Sequence, residues 1–411
     1  MQVSKFDVSS GGTPHARLGP SGADRWMVCA PSVRFIERLK AEGKVPLYSS
    51  SGAADEGTAA HQVRGDALEL GLEAWDFVGS ALVINGVRYE CDDEMAGHLQ
   101  PGIDWINEQP GELIVEHRVD LGRWMPGQFG TLDTAIIQRA VRRLIVNDLK
   151  YGAGVPVAAE DNRQLRIYAI GTLDNFDLWD AVDEVSIVID QPRAGGMKFW
   201  SVSIDELRAF AHEVKAAAER VDDPDAPFVP TEKGCRFCEA KDFCDAYTMW
   251  MLDIAGLEDL DDLDNPPELP DPNEITPERR WYIVSHSHLV TKWFAKLHAD
   301  SMAAAEAGCP DPGSKLVTGQ RGNRRYKNEA RAERILKISL GENAFTFKVK
   351  SPAQAEKDLA PGKKKVGNER AWRLLNRLIT QDEGRPILVP ASDPRDALPP
   401  LTSGLDDLDD L

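Results

Sequence analysis

Apolar positions change period several times along the chain, and each change predicts an element. Trp26, Cys29, Val33, Ile36 and Leu39 recur at helical spacing over residues 23–40, interrupted by Pro31. After a Ser/Gly-rich loop at 48–54, His61, Val63, Ala67 and Leu68 predict a second helix with Thr58 as its N-cap. Strand-like patterning then takes over. Residues 81–89 read as a hairpin turning at Asn85-Gly86, 113–119 as a strand, and 130–137 and 142–148 as two more. Helices are expected at 162–173 and 204–220, on either side of a strand at 184–191. This order reads as α/β or α+β with a central mixed sheet, and α/β, with helices flanking the sheet, is the expectation carried forward.

The downstream half reads differently. Residues 251–277 are acidic and Pro-rich and cannot bury enough apolar surface to fold alone, which makes them a linker. A long helix is expected at 278–307, opening a basic α+β C-terminal domain that ends near residue 396, followed by an acidic tail at 397–411. Leucine recurs every third residue among carboxylates at 257–263 and again at 405–411. The repeat reads either as a short acidic docking helix or as a solvated acidic segment.

At 411 residues, 42% hydrophobic and 28% charged, the chain has length and composition for two or three folded domains, which excludes global disorder and collagen. No apolar run reaches the eighteen residues of a membrane span, and the first seven residues lack a signal-peptide core, so a cytoplasmic protein without membrane attachment is expected. The net charge of −19 is concentrated locally. Nine acids and no base lie between Asp253 and Glu274, and four acids in the last six residues; the remainder carries 54 acids against 48 bases. A local basic channel is compatible with that balance.

Candidate chemistry centres on Asp133 and on Asp148-Leu149-Lys150. A strand ending in Asp-X-Lys puts Asp148 and Lys150 on one face, and Asp133 precedes them by fifteen residues on the expected neighbouring strand. Two carboxylates meeting at a sheet edge suit Mg²⁺ or Mn²⁺, and an adjacent lysine can orient water for phosphodiester hydrolysis. Gln164 and Tyr168 share a helix face at i, i+4.

Taken in order, Gly57-Thr58-X-X-His61, Gly130-X-X-Asp133, Asp148-X-Lys150 and Gln164-X-X-X-Tyr168 resemble the RecB-like branch of the PD-(D/E)XK nucleases. They are similar in particular to an uncharacterised phage and prophage family encoded beside single-strand annealing proteins. The resemblance implies a restriction-endonuclease-like nuclease domain over residues 1–250. His61, Asp133, Asp148 and the carbonyl of Leu149 would be metal ligands, with Glu116 as an outer carboxylate, Lys150 acting on water, and Gln164 and Tyr168 contacting DNA or supporting Lys150. It further implies exonucleolytic resection of double-stranded DNA ends for an annealing partner inside a bacterial host cell. A non-catalytic DNA-binding scaffold and an endonuclease on branched or single-stranded DNA are the alternatives; oligomerisation is left open.

The thiols Cys235, Cys238 and Cys244 form C-x₂-C-x₅-C, one ligand short of a tetrahedral metal or iron–sulfur site, and Cys29 is the natural fourth. The pattern resembles the iron–sulfur staple of AddB, implying a [4Fe–4S] cluster, with Zn²⁺ as the alternative. Cys91 and Cys309 read as isolated thiols. Basic residues that could follow a phosphate backbone are Arg139, Arg142 and Arg143 on the central hairpin and Arg324, Arg325 and Lys327 in the C-terminal segment.

Overall fold

Asn85 and Gly86 both take positive φ, 52° and 79°, the conformation a two-residue turn needs, and they join β1 (Ala81–Ile84) to β2 (Val87–Glu90) as expected. This hairpin stands apart from the main sheet of the computed structural model. The structure describes residues 16–47, 52–152, 154–257 and 275–309, with 311, 312, 314 and 373. It divides into two units, Met1–Asn273 and Glu274–Leu411.

In the first unit, β3 (Glu112–Asp120), β4 (Phe129–Gln138), β5 (Arg143–Leu149), β6 (Glu184–Gln191) and β7 (Gly196–Ser203) lie side by side in sequence order. All neighbours pair antiparallel except β5 and β6, which are parallel and joined by a helical crossover. The strand β7 was not expected from the sequence. It closes one sheet edge with a weakly alternating pattern, Met197 to Ser203, whose Phe199 is exposed.

Helices cover both faces. The first amphipathic run splits at Pro31 into α1 (Ala23–Trp26) and α2 (Ser32–Ala41). Next come α3 (Gly52–Leu70) and α4 (Asp93–Asn107). Thr58 is not an N-cap: α3 begins six residues earlier, and the Thr58 hydroxyl donates to the Ala54 carbonyl inside the helix. α4 escaped the sequence reading because Gly97, Pro101 and Gly102 interrupt its pattern. The crossover helix α5 (Arg163–Asn175) is capped by Asn162, whose side chain accepts the Leu165 N–H. α6 (Ile204–Arg220) matches its expected bounds and starts with a Ser203–Glu206 capping box.

Strand alternation divides the core between the two faces. Leu144 and Val146 pack with Leu165, Ala169, Leu207 and Phe210 of α5 and α6, while Ile145 and Leu149 pack with Ala60, Val63, Leu99 and Ile103 of α3 and α4. The result is a mixed α/β domain, a five-stranded sheet between two helical layers. Its last helices are α7 (Glu232–Arg236) and α8 (Asp245–Ala255). α8 runs past residue 250, where the sequence reading ended the domain, and stops at Gly256 with φ 73°.

In the second unit, α9 (Pro277–Glu306) forms within a residue of the expected bounds and buries none of its residues. The α+β segment expected beyond it, Arg324, Arg325 and Lys327, and the repeat at 405–411 lie outside the described residues. Among the described residues no helix is long and apolar enough to cross a membrane.

Candidate active site

The site forms where β4 and β5 part. Their ladder runs from Gln138–Arg143 to Thr134–Asn147 and stops; one step further lie Asp133 and Asp148. In the fork the Asp133 carboxylate replaces a backbone partner, its Oδ2 accepting the Leu149 N–H at 2.8 Å. The same oxygen accepts from Arg64 Nη2 at 3.0 Å and lies 3.1 Å from His61 Nδ1. Directly across β3, Glu116 is skipped by the pairing, since Val115 pairs with Thr134 and His117 with Leu132. Glu116 takes φ 43°, a left-handed conformation that costs a non-glycine residue of order 1–3 kcal/mol and is typical of functional positions. One ligand atom each from His61, Glu116 and Asp133 lies within 4.8 Å of the others. Gly65 of α3 makes the room: a Cβ there would sit 3.1 Å from Glu116 Cγ.

Asp148 and Lys150 share a face, as strand alternation requires. Lys150 Nζ lies 2.6 Å from Asp148 Oδ2, an ion contact that leaves this buried oxygen without an aligned hydrogen bond. Gln164 locks the pair from α5, donating from Nε2 to Asp148 Oδ1 at 3.2 Å and accepting from Lys150 Nζ at 3.1 Å. Tyr168, one turn on, is buried against Gly130, where a Cβ would come within 2.7 Å of its ring. Asp148 is therefore held by Lys150 and Gln164, while Glu116 stands in the tight group with His61 and Asp133.

Electrostatics separates the carboxyls. Burial pushes Asp133 up, but His61, Arg64 and Lys150 outweigh it and hold the group well below the usual carboxylate range. Burial, reinforced by the neighbouring Asp133 charge, pushes Glu116 up to about 7. Asp148 is also raised by burial, against the pull of Lys150. His61 is raised: burial opposes its charged form and Asp133 overcomes it.

Arg64 is the residue the sequence reading missed. It is 2% exposed and forks between Asp133 and the sheet, with Nη1 donating to Asn147 Oδ1 at 3.0 Å. Asp190 Oδ2, 3.6 Å from the same nitrogen, is packed so closely against Gly102 that no Cβ fits there. The available signal was position: Arg64 follows His61 by three residues on a face that continues through Ala67 and Leu68.

His61, Glu116, Lys150, Gln164 and Tyr168 line one cleft of about 1420 Å³, beyond the roughly 300–1,000 Å³ of small-molecule pockets. The hairpin arginines do not line it. They sit at the opposite end of β4 and β5, about 17 Å along the strand at 3.3 Å per residue. There Arg142 is bound bidentately by Asp183, Arg143 donates to Gln138 and Arg139 stands 3.7 Å from Glu112. The hairpin residues expected to follow a phosphate backbone thus lie apart from the cleft.

Cys29, Cys235, Cys238 and Cys244 converge on one cavity of about 20 Å³, walled by Arg25, Phe35, Phe228 and Tyr247. All four are free thiols, and the Val229 N–H approaches Cys29 Sγ at 3.5 Å. Burial raises Cys235 to about 11, with the other three thiols adding to the rise. Soft donors held together by the fold suit a thiophilic metal or cluster. Cys91 is buried elsewhere and its thiol is likewise raised to about 11 by burial; Cys309 is exposed.

A family model described as "Protein of unknown function (DUF2800)" matches residues 15–396. The chain belongs to this family. Among solved structures, the DUF2800 chain is similar to one titled "Crystal structure of SSO0001", at 14% identity and a TM-score of 0.27, covering 58% of this chain and 90% of that one.

Proposed function

We propose that this DUF2800 protein is a divalent-cation-dependent DNA nuclease of RecB-like PD-(D/E)XK type, an exonuclease that resects linear double-stranded ends. The observation that carries the reading is the meeting of His61, Glu116 and Asp133 beside Asp148, Lys150 and Gln164 at a strand fork. One imidazole and several carboxylates form a donor set that fits Mg²⁺ or Mn²⁺, and the buried Asp148 Oδ2 is an acceptor such a cation would satisfy. His61, Asp133, Asp148, Glu116 and the Leu149 carbonyl would hold it. When bound, the cation supplies Lewis acidity and charge neutralisation at a phosphodiester.

The chain's own groups do the rest. Asp133, kept ionised by His61 and Arg64, presents fixed negative charge. Lys150, fixed by Asp148 and Gln164, holds a cation where negative charge develops on phosphate and orients the incoming water. Tyr168 walls the cleft behind Gln164. The four thiols would hold a [4Fe–4S] cluster, or Zn²⁺ as the alternative; iron and sulfide analysis of anaerobically purified protein separates the two. A single-strand annealing protein is the expected partner for the product.

The test is incubation of end-labelled linear and closed circular duplex with Mg²⁺ or Mn²⁺, using wild type, Asp148→Asn and Lys150→Ala. Loss of linear DNA alone, slowed about 10²-fold or more in both variants, is the expected result. Equal loss with all three proteins overturns the nuclease reading. Cleavage of circles moves it to an endonuclease.

A further inference from the structure

Phe237 is the most exposed large apolar side chain among the described residues, at 82%. Isolated exposed phenylalanines are common and need no explanation. This one differs in its mount and its place. It lies between Cys235 and Cys238, on a turn closed by the Cys235 N–H to Thr231 carbonyl bond at 2.9 Å and the Cys238 N–H to Cys235 carbonyl bond at 3.2 Å. Gly234 seats that turn on α1, so tightly that a Cβ would meet the Asp24 carbonyl oxygen at 3.1 Å. The backbone that carries the ring is therefore ordered before anything packs on it.

Its place is the cleft that also holds His61, Lys150 and Gln164. Lys233 and Arg236 flank it there. Lys233 has no acidic partner among the described residues, and Arg236 is held only by the half-exposed Glu232, 2.7 Å away. An exposed aromatic face between two cations, in a cleft larger than typical small-molecule pockets, matches the chemistry of an unpaired nucleotide: the base stacks and the phosphates meet the cations. Inside a duplex the base faces are hidden in the helical stack, so away from its ends Phe237 has none to cover.

We propose that Phe237 is the stacking platform for an unpaired nucleobase, so that DNA reaches Lys150 as a single strand drawn over the Cys235–Cys238 turn. This rests on the nuclease reading and deepens it: the strand to be cut is separated from its complement before it enters the cleft. The turn between the thiols thereby becomes a substrate contact.

The test is equilibrium anisotropy of a fluorescent oligothymidine 20-mer and of a blunt hairpin duplex, with Ca²⁺ replacing Mg²⁺ to prevent cleavage. Wild type, Phe237→Ala and Phe237→Trp are compared at matched iron or zinc content and matched thermal midpoint. Phe237→Ala is expected to weaken oligothymidine binding about tenfold with little change for the duplex, and Phe237→Trp to restore it. Unchanged oligothymidine affinity in Phe237→Ala, or equal losses on both DNAs, overturns the proposal. Wild type that binds the duplex but not oligothymidine overturns it while leaving the nuclease reading standing. Wild type that binds neither removes both.

Discussion

A histidine and an arginine one turn apart on α3 reach the same oxygen of Asp133, and their burdens differ. His61 faces the cleft, while Arg64 is sealed beneath it with Asn147 and Asp190. Removing the guanidinium would leave Asp190 buried without its cation and Asp133 with His61 but no arginine, the costly half of breaking a buried pair. Arg64→Met is therefore expected to lower unfolding stability by about 3–5 kcal/mol in urea titration, whereas Gln62→Ala, one position from His61, should move it little. Glu116 yields a pH dependence. Its carboxyl is pushed up to about 7 and His61 is raised as well, so both retain protons in the free protein that a divalent cation must displace. Affinity should rise with pH between 6 and 8, by up to about tenfold per unit for each proton released. Mn²⁺ titration at several pH values checks this, and Glu116→Gln should flatten the profile. Asp148 and Lys150 were legible as neighbours because strand alternation puts them on one face, where the structure brings them together. Arg64 was not: an arginine in a helix reads as solvated until the sheet that covers it is known.

Elements carry the next level, and two glycines show how closely they are fitted. Gly65 of α3 faces the flexible Glu116 side chain, which can shift by a few tenths of an ångström. Gly65→Ala should leave stability unchanged or raise it by up to about 1 kcal/mol through helix propensity, while weakening cation binding. Gly102 of α4 faces the buried Asp190 carboxylate with no room at all. Gly102→Ala should cost about 1–3 kcal/mol by overpacking, and paired thermal melts of the two variants distinguish these outcomes. Strong patterns were legible at this scale: the Asn85-Gly86 turn, the strand at 184–191 and α6 are all where turn residues and apolar periodicity put them. The losses have local causes. Pro101 inside α4 and the exposed, weakly alternating β7 gave no clean period, and the true start of α3 lies before Thr58 in a stretch of small residues. The fork at Asp133 depends on where pairing stops, which is a property of two strands together.

At the scale of the first unit, thiols from segments about two hundred residues apart line one cavity, and the question is how much of the domain depends on them. A staple that alone tied the two ends would make Cys29→Ser a global lesion, as loop closure suggests. The structure ties them several times over. Trp26 is fully buried in the main core, Arg17 bridges Glu37 and Asp222, and Arg220 donates to the Met27 carbonyl. Around the thiols themselves the packing is thin: Ile36, Leu39, Val45 and Ala240 form a separate small core, with Lys40 paired to Glu239 at its rim. Stability should therefore fail locally first. Cys29→Ser, or chelation of the metal or cluster proposed for the thiols, is expected to raise amide exchange over residues 235–244 by orders of magnitude while leaving β5 and α5 protected. Hydrogen–deuterium exchange read by mass spectrometry checks this segment by segment. Faster exchange in β5 and α5 as well would mean that the thiols hold the whole sheet, and the anchoring by Trp26 and Arg17 would then count for less than their burial and pairing indicate.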